Sequence, residues 1–356
     1  MIKKRVTSSD VAAFAGVSRA TVSAVLNNSR PVSKELRERV EDAMRKLNYQ
    51  PNAVARSLKA RRTYRIGLLA GSASSPFWAR VLKSVEQVVH NKGFNLTWAD
   101  SNEDPQKELA QLQSMVGQQM EGIILAATGT ENQEYIYELN SQIPVVLFDR
   151  RLPDIPLDSL ACNNELGARL AIEHFISLGY RNIGYTSIAL NVGPGYERLK
   201  GYKETLRQHN IPINSDWIRV GDYTEESGYH DAMELLSQKN RPDAIFASSH
   251  LRAVGVLQAA RELGLRVPDD VALIGFDEMP WTAYMDPPLT VVAQPVNEMA
   301  KHATELLIRR VNLHWANAQQ EDSDENEVVQ QVLYRPRLIV RESCGSKLHA
   351  PSIEPA

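Results

Sequence analysis

Two cysteines among 356 residues leave little scope for covalent or metal staples. Cys162 and Cys344 stand far apart and show no metal-ligand spacing, so two reduced thiols are expected, with no disulfide and no metal. No window offers about 18 uninterrupted apolar residues, which argues against a helical membrane span. The opening stretch MIKKRVTSSDVAAFAG has basic residues but no apolar core behind them. A secretory signal is therefore not expected, and the reading is a cytoplasmic protein. Catalytic fingerprints are also missing. The first strand-like run continues Gly67-Leu68-Leu69-Ala70-Gly71-Ser72, which is not the Gly-x-Gly-x-x-Gly of a dinucleotide site. There is no P-loop Gly-Lys-Ser/Thr and no His-Glu-x-x-His, and the serines at 72–75 lack the glycines of a nucleophile elbow. No enzyme and no cofactor are expected.

What is there is an ordinary globular composition, 43% hydrophobic and 23% charged, long enough for about two or three domains. The net charge of −3 conceals an asymmetry. Residues 1–65 carry 15 Lys and Arg against 5 Asp and Glu, whereas the remainder carries 25 against 38. A basic end joined to an acidic body is the footprint of nucleic-acid binding at that end.

Three short helices fit the first 50 residues. The first starts near Ser8-Ser9-Asp10, where small polar side chains accept from free backbone N–H groups, and carries Val11, Phe14 and Ala15 on one side. Gly16 suits a left-handed turn. Ser18 caps a second helix running to about Asn27. Pro31 breaks the chain, and Ser33 caps a third helix with Leu36, Val40, Ala43 and Leu47 as its apolar stripe. The segment 51–58, PNAVARSL, is too short to be a stable helix alone and reads as one ordered by a partner.

From Arg65 onward strand-like runs alternate with amphipathic helices. Strands are expected at 66–70, 95–99, 122–126 and 145–148, then at 182–186, 217–220, 244–247 and 271–275. Helices are expected between them, at 78–90, to about 119 and to about 140, then at 164–178, 196–209, 225–238 and 252–263. A further helix is expected at 296–313, then an acidic loop at 319–327 and a last strand-like run at 328–340. The tail after it has no leucine heptads, so no coiled coil is expected. This alternation means βαβ units, and the series is too long for one sheet. The predicted fold is α plus α/β: a three-helix helix-turn-helix head with a hinge helix, then two doubly wound parallel-sheet lobes. The divisions are 1–50, a hinge and linker at 51–63, lobes over 64–341 with crossovers near 161–163, 290–295 and 320–328, and a tail at 342–356.

The head has the parts of a helix-turn-helix. Ala12 and Ala15 allow close helix crossing, Gly16 makes the turn, Val17 plugs it, and Val22 and Val25 face inward. Ser18, Arg19, Ala20, Ser23 and Asn27 are left to look outward, where a recognition helix meets base edges and phosphates. With VTSSDVAAFAGVSRATVSAVLN, then RPVS, then LNYQPNAVARSL, about residues 4–341 resemble the LacI/GalR family of bacterial transcriptional regulators. That resemblance implies a second helix in the major groove and paired hinge helices in the minor groove of a palindromic operator. It assigns DNA contacts to Thr7, Ser18, Arg19, Ala20, Thr21, Ser23, Asn27, Asn52, Ala55 and Leu58, with Leu58 a wedge between base pairs. It also implies a homodimer. One departure is Ala24, where many members carry an Arg able to read guanine.

In doubly wound sheets ligands sit beyond the carboxyl ends of strands. Those positions hold Phe77 and Trp78, Asp149, Tyr223, Ser249 and His250, and Asp277. Arg198 lies in YERLKGY and Gln294 in LTVVAQP, read as a crossover. Carboxylates, an arginine and rings are what a polyol pocket needs. The run GFDEMPWTAYMDPPLTVVAQP is similar to the family's signature through Asp277, Pro288, Leu289, Thr290 and Gln294. The resemblance implies a periplasmic-binding-protein-like sensor, with Asp149, Arg198 and Asp277 as effector contacts. A sugar or sugar phosphate is the favoured small-molecule effector. Ser249-His250 stands where most members have an acidic pair, and GDYTEESGY resembles purine-responsive relatives. A stacked purine between Trp78 and Tyr223 is therefore the alternative. The overall expectation is a ligand-responsive repressor whose effector controls hinge-helix order.

Overall fold

The computed structural model describes residues 6–27, 30–49, 62–190, 193–318 and 328–346. The chain divides into two compact units, Met1–Tyr64 and Arg65–Ala356. The expected hinge helix, with Asn52, Ala55 and Leu58, lies outside the described residues, as does the acidic loop at 319–327.

The first unit holds α1 (Ser8–Ala15), α2 (Arg19–Asn27) and α3 (Lys34–Lys46). Thr7 precedes α1 and closes a capping box: its hydroxyl accepts from the Asp10 N–H, and the Asp10 carboxylate accepts from the Thr7 N–H at 2.7 Å. Gly16 takes φ +62°, and a Cβ there would meet Arg39 Nη2 at 2.9 Å. Arg39 uses that nitrogen to donate to the Ala15 carbonyl at 2.7 Å, which ties α3 to the turn. Val11, Ala12, Ala15, Val22, Val25, Val40 and Ala43 form the small core. Phe14 corrects one expectation. It is 55% exposed, because Ala12 takes the inward place on α1.

The second unit contains two lobes of the same plan. Lobe 1 has strands β1 (Arg65–Ala70), β2 (Asn95–Asp100), β3 (Gly122–Leu125), β4 (Val145–Phe148) and β5 (Asp158–Cys162). Its helices are α4 (Pro76–Asn91), α5 (Pro105–Gly117) and α6 (Gln133–Gln142). Lobe 2 has α7 (Asn164–Ser177), β6 (Ile183–Ile188), α8 (Gly193–Gln208), β7 (Ile218–Gly221), α9 (Glu225–Leu236) and β8 (Ala244–Ala247). It continues with α10 (His250–Glu262), β9 (Ala272–Phe276) and β10 (Thr290–Ala293). The chain then returns through α11 (Val296–Ala318) and ends with β11 (Gln331–Tyr334) and β12 (Arg337–Ile339). The sheet orders are β11-β5-β4-β3-β1-β2 and β12-β10-β9-β8-β6-β7, one pattern used twice. Pairing is parallel except for β10 with β12. Strands such as GIIL, VVLF and AIFA are buried along their whole length, as a sheet covered on both faces requires.

The structure corrects four expectations here. The segments 158–162 and 290–293 are unexpected strands, β5 and β10, and the first two lobe crossings follow them at 163 and 294–295, within the ranges expected near 161–163 and 290–295. The run 328–340 is two strands in different sheets, so the third lobe crossing falls at residues 335–336 and not at 320–328. Residues 342–346 are not a loose tail. Ser343 donates to the Leu273 carbonyl at 2.7 Å and Cys344 is fully buried. The Ser343 carbonyl also accepts from the Leu273 N–H at 2.7 Å and its hydroxyl from the Thr290 N–H at 2.8 Å, bridging the starts of β9 and β10 and holding the segment in the lobe.

Candidate functional site

Both lobes end a central strand with Phe-Asp. Phe148 closes β4 and Asp149 follows with φ +67°, and Phe276 closes β9 and Asp277 follows with φ +77°. Aspartate tolerates this left-handed conformation better than most residues. The turn is held the same way in each lobe. The Asp149 N–H donates to the Leu160 carbonyl of β5, and the Asp277 N–H to the Val292 carbonyl of β10, both at 2.9 Å. Each carboxylate is thereby lifted off its strand end toward the gap between lobes.

The gap narrows there to a cavity of about 20 Å³. Its walls include Phe77, Trp78, Asp149, Arg198, Tyr223, Asp277 and Gln294, so seven of the nine residues expected for the effector converge. Phe77 and Trp78 lie in the first turn of α4, with ring planes 88° apart and centroids at 5.2 Å. Trp78 in turn packs edge-on against Phe148 at 6.0 Å. Arg198 reaches in from α8. Its Nη1 donates to the Ser248 carbonyl at 2.6 Å, and its guanidinium lies 3.5 Å above the Phe276 ring. Gln294 donates to Asp277 Oδ1 at 2.7 Å, and its own oxygen is buried without a hydrogen-bond partner. The Tyr223 hydroxyl lies 3.4 Å from Ser75 Oγ across the gap.

His250 is placed behind this wall. It opens α10, is 2% exposed, and holds Nδ1 3.7 Å from Asp277 Oδ2, an ion-pair distance longer than a hydrogen bond. Neither ring nitrogen has a hydrogen-bond partner. Ser249 is not brought to the cavity. Its hydroxyl accepts from the Arg252 N–H at 3.3 Å and caps α10, the ordinary duty of a serine before a helix.

The residue missed by sequence reading is Arg150. It also lines the cavity, is 6% exposed, and forms a two-pronged pair with Glu103 at 2.7 and 2.8 Å. Its position directly after the strand-end Asp149 was the available signal. The two carboxylates differ in proton affinity. Burial pushes the Asp149 carboxyl up to about 6, against the pull of Arg150 and Arg198. Burial also pushes Asp277 upward, but His250, Arg198 and Gln294 outweigh it and hold the group below the usual carboxylate range. A larger hollow of about 710 Å³ opens beside this cavity and is lined by Arg151, Leu190, Tyr196 and Glu197 among others. The smaller cavity carries the concentrated buried charge.

On the head, Ser18, Arg19 and Ala20 are exposed, while Thr21 and Ser23 are half-buried. The Ser18 hydroxyl accepts from the Thr21 N–H at 3.1 Å. Thr7 is exposed beside its capping box, and Asn27 closes α2. Ala24 is 2% exposed and offers no polar group.

A three-helix head and a two-lobed body with a charged interlobe cavity define a sensor-regulator class of protein. Residues 7–52 match the family described as bacterial regulatory proteins, lacI family, and residues 172–344 match a periplasmic binding protein-like domain. The chain is 36% identical over 340 residues to a ribose operon repressor of Haemophilus influenzae, covering 96% of this chain and 99% of that protein. It is 35% identical over 342 residues to the transcriptional repressor PurR of Photorhabdus laumondii, covering 95% and 96%. Among solved structures it is similar to the Lac repressor dimer bound to operator, with a TM-score of 0.83, 25% identity and coverage of 96% and 99%. It is also similar to a CelR–cellobiose complex, with a TM-score of 0.71, 29% identity and coverage of 95% and 100%. The chain belongs to the LacI family: it is a DNA-binding transcriptional repressor that responds to a small ligand, and not an enzyme.

Proposed function

We propose that the effector is a small polyhydroxylated sugar bound between the lobes, and that this protein represses a carbohydrate-utilisation operon. The observation that carries this reading is the pair of buried strand-end carboxylates, one from each lobe, each near a guanidinium. Adjacent sugar hydroxyls both donate and accept, so alternating acceptors and donors suit them. Phe77 and Trp78 supply apolar surface for the C–H face of such a ring. A stacked purine would instead use Trp78 and Tyr223, both of which line the cavity, so purine bases belong in the test.

The full repressor is read as a cytoplasmic homodimer on a palindromic operator. α2 lies in the major groove, with Thr7, Ser18, Arg19, Ala20, Thr21, Ser23 and Asn27 facing DNA. Asn52, Ala55 and Leu58 act at the minor groove. Sugar binding selects one lobe arrangement and thereby sets the order of the hinge segments. A coupling of about 1–3 kcal/mol gives roughly 5–150-fold control. A thermal-shift panel of pentoses, hexoses, sugar phosphates and purine bases tests the ligand class. At 100-fold its Kd a ligand adds about 2.7 kcal/mol, a shift of several degrees. A shift with a sugar is expected. A shift with hypoxanthine or guanine alone would overturn the reading.

A further inference from the structure

A line of hydrogen bonds runs from the surface of lobe 1 to the cavity. Arg151, next to Arg150 after β4, donates from Nη2 to Glu197 Oε1 on α8 at 2.6 Å. Glu197 Oε2 accepts from Asn164 Nδ2 at 2.8 Å, and Asn164 Oδ1 accepts from Arg198 Nε at 2.8 Å. Arg151 belongs to lobe 1, whereas Asn164 and Arg198 belong to lobe 2. Asn164 is 1% exposed and Arg198 3%, so both are fixed by packing, while the Arg151 side chain is 40% exposed and the Glu197 side chain 17%.

The chemistry of this line has one consistent solution. A carboxylate has two acceptor oxygens, and Glu197 uses one for each neighbour. Receiving Asn164 Nδ2 fixes which way that amide points, and only then is Oδ1 turned to Arg198. A flipped amide would set an NH₂ group against a guanidinium. Other hydrogen bonds cross between lobes elsewhere, including Arg80 Nη1 to the Glu278 carbonyl at 2.6 Å, but among the described residues none of those reaches Arg198.

We infer that Glu197 and Asn164 are positioning residues for the effector response: with Arg151 they form an interlobe latch that aims Arg198 into the cavity when the lobes are together. The inference rests on the reading that the cavity holds the effector. The latch favours the arrangement in which both lobes can grip a ligand, the cavity of about 20 Å³ widening to admit it, and losing the latch lowers that population. Glu197→Gln leaves a single acceptor oxygen, so it loses either the tie to Arg151 or the orientation of Asn164. Arg151→Gln loses only the tie.

The test uses the full chain with Arg151→Gln, Glu197→Gln, the double variant and Arg151→Lys. Hydrogen–deuterium exchange without ligand is followed at residues 149–157 and in the first turns of α8. Both single variants are expected to exchange about fivefold faster there, the double variant no faster than Glu197→Gln, and Arg151→Lys close to native, because contacting partners are not additive. Titration with the sugars of the panel, D-ribose first, then separates the roles. Arg151→Gln is expected to weaken binding about 2–5-fold, and Glu197→Gln about tenfold, since it also weakens the Asn164 bond to Arg198 Nε and leaves the guanidinium aimed only by the Ser248 carbonyl and the Phe276 ring. Exchange unchanged in both single variants, or additive in the double, would overturn the latch. Native-like sugar affinity in Glu197→Gln would overturn its positioning role. If native protein takes none of the pentoses, hexoses and sugar phosphates of the panel while exchange responds as expected, the cavity reading fails and the latch stands.

Discussion

Asp149 and Asp277 occupy equivalent places in repeated lobes, yet their surroundings push them in opposite directions. For Asp149 the folded value of about 6 lies above that of an unfolded chain, near 4. Its contribution to stability is therefore complete below about pH 4 and is lost as pH rises through about 6. Asp149→Asn removes the penalty of a buried charge. Its Tm is expected to exceed that of the native protein at pH 8, with the difference vanishing near pH 4, as differential scanning calorimetry will record. Sugar binding should show the opposite dependence. Below about pH 6 Asp149 gains a proton and loses acceptor capacity, so native affinity should fall on acidification. At this scale the strand-end rule found both aspartates, because position in a doubly wound sheet is legible from apolar runs. It missed Arg150 by stopping at the carboxylate. It misplaced Ser249, because one serine cannot show from its sequence whether its hydroxyl serves a ligand or a helix end.

The elements were legible wherever periodicity and caps agreed. β4 and β8 fall at 145–148 and 244–247 as read, and α3 begins after Ser33, whose hydroxyl accepts from the Leu36 N–H. β5 and β10 escaped for physical reasons. Asp158-Ser159-Leu160-Ala161-Cys162 mixes polar residues into a strand, one of whose neighbours, β11, lies far along the sequence. The four-residue Thr290–Ala293 is hemmed by prolines on both sides and resembles a linker. Phe14 broke the apolar stripe of α1, since a short helix buries only a narrow face. The capping box at α1 supports a prediction of its own. Thr7→Ala removes the acceptor for Asp10 N–H and should cost the head about 1 kcal/mol. Circular dichroism melts of residues 1–64 as part of the full chain would register this as an earlier loss of head helicity, with the melt of the two lobes unchanged.

Across the whole molecule, opposite charge is segregated along the chain, with the basic residues gathered in 1–65. Each phosphate contact releases counterions and contributes about −0.9 to the slope of log affinity against log salt. Operator affinity should therefore fall steeply between 50 and 200 mM salt, about 10³-fold or more for six or more phosphate contacts. Fluorescence anisotropy on labelled duplex measures this, and a flat response would remove the head from DNA recognition. The lobe plan was read from alternation alone, but the third crossing was not. The run 328–340 looks like one strand, and only the sheets show that it serves two.

The most direct test of a sugar-gated cavity is calorimetric titration of the full chain with the pentoses and hexoses of the panel, native beside Asp277→Asn. The substitution keeps the shape of the strand end and removes a charged acceptor, a loss of about 1.5–3 kcal/mol for a hydrogen bond to a charged group. Saturable binding by the native protein is expected, weakened about 10- to 100-fold in the variant. Equal affinity in the two proteins would contradict the account, as would native protein that binds hypoxanthine and ignores the sugars.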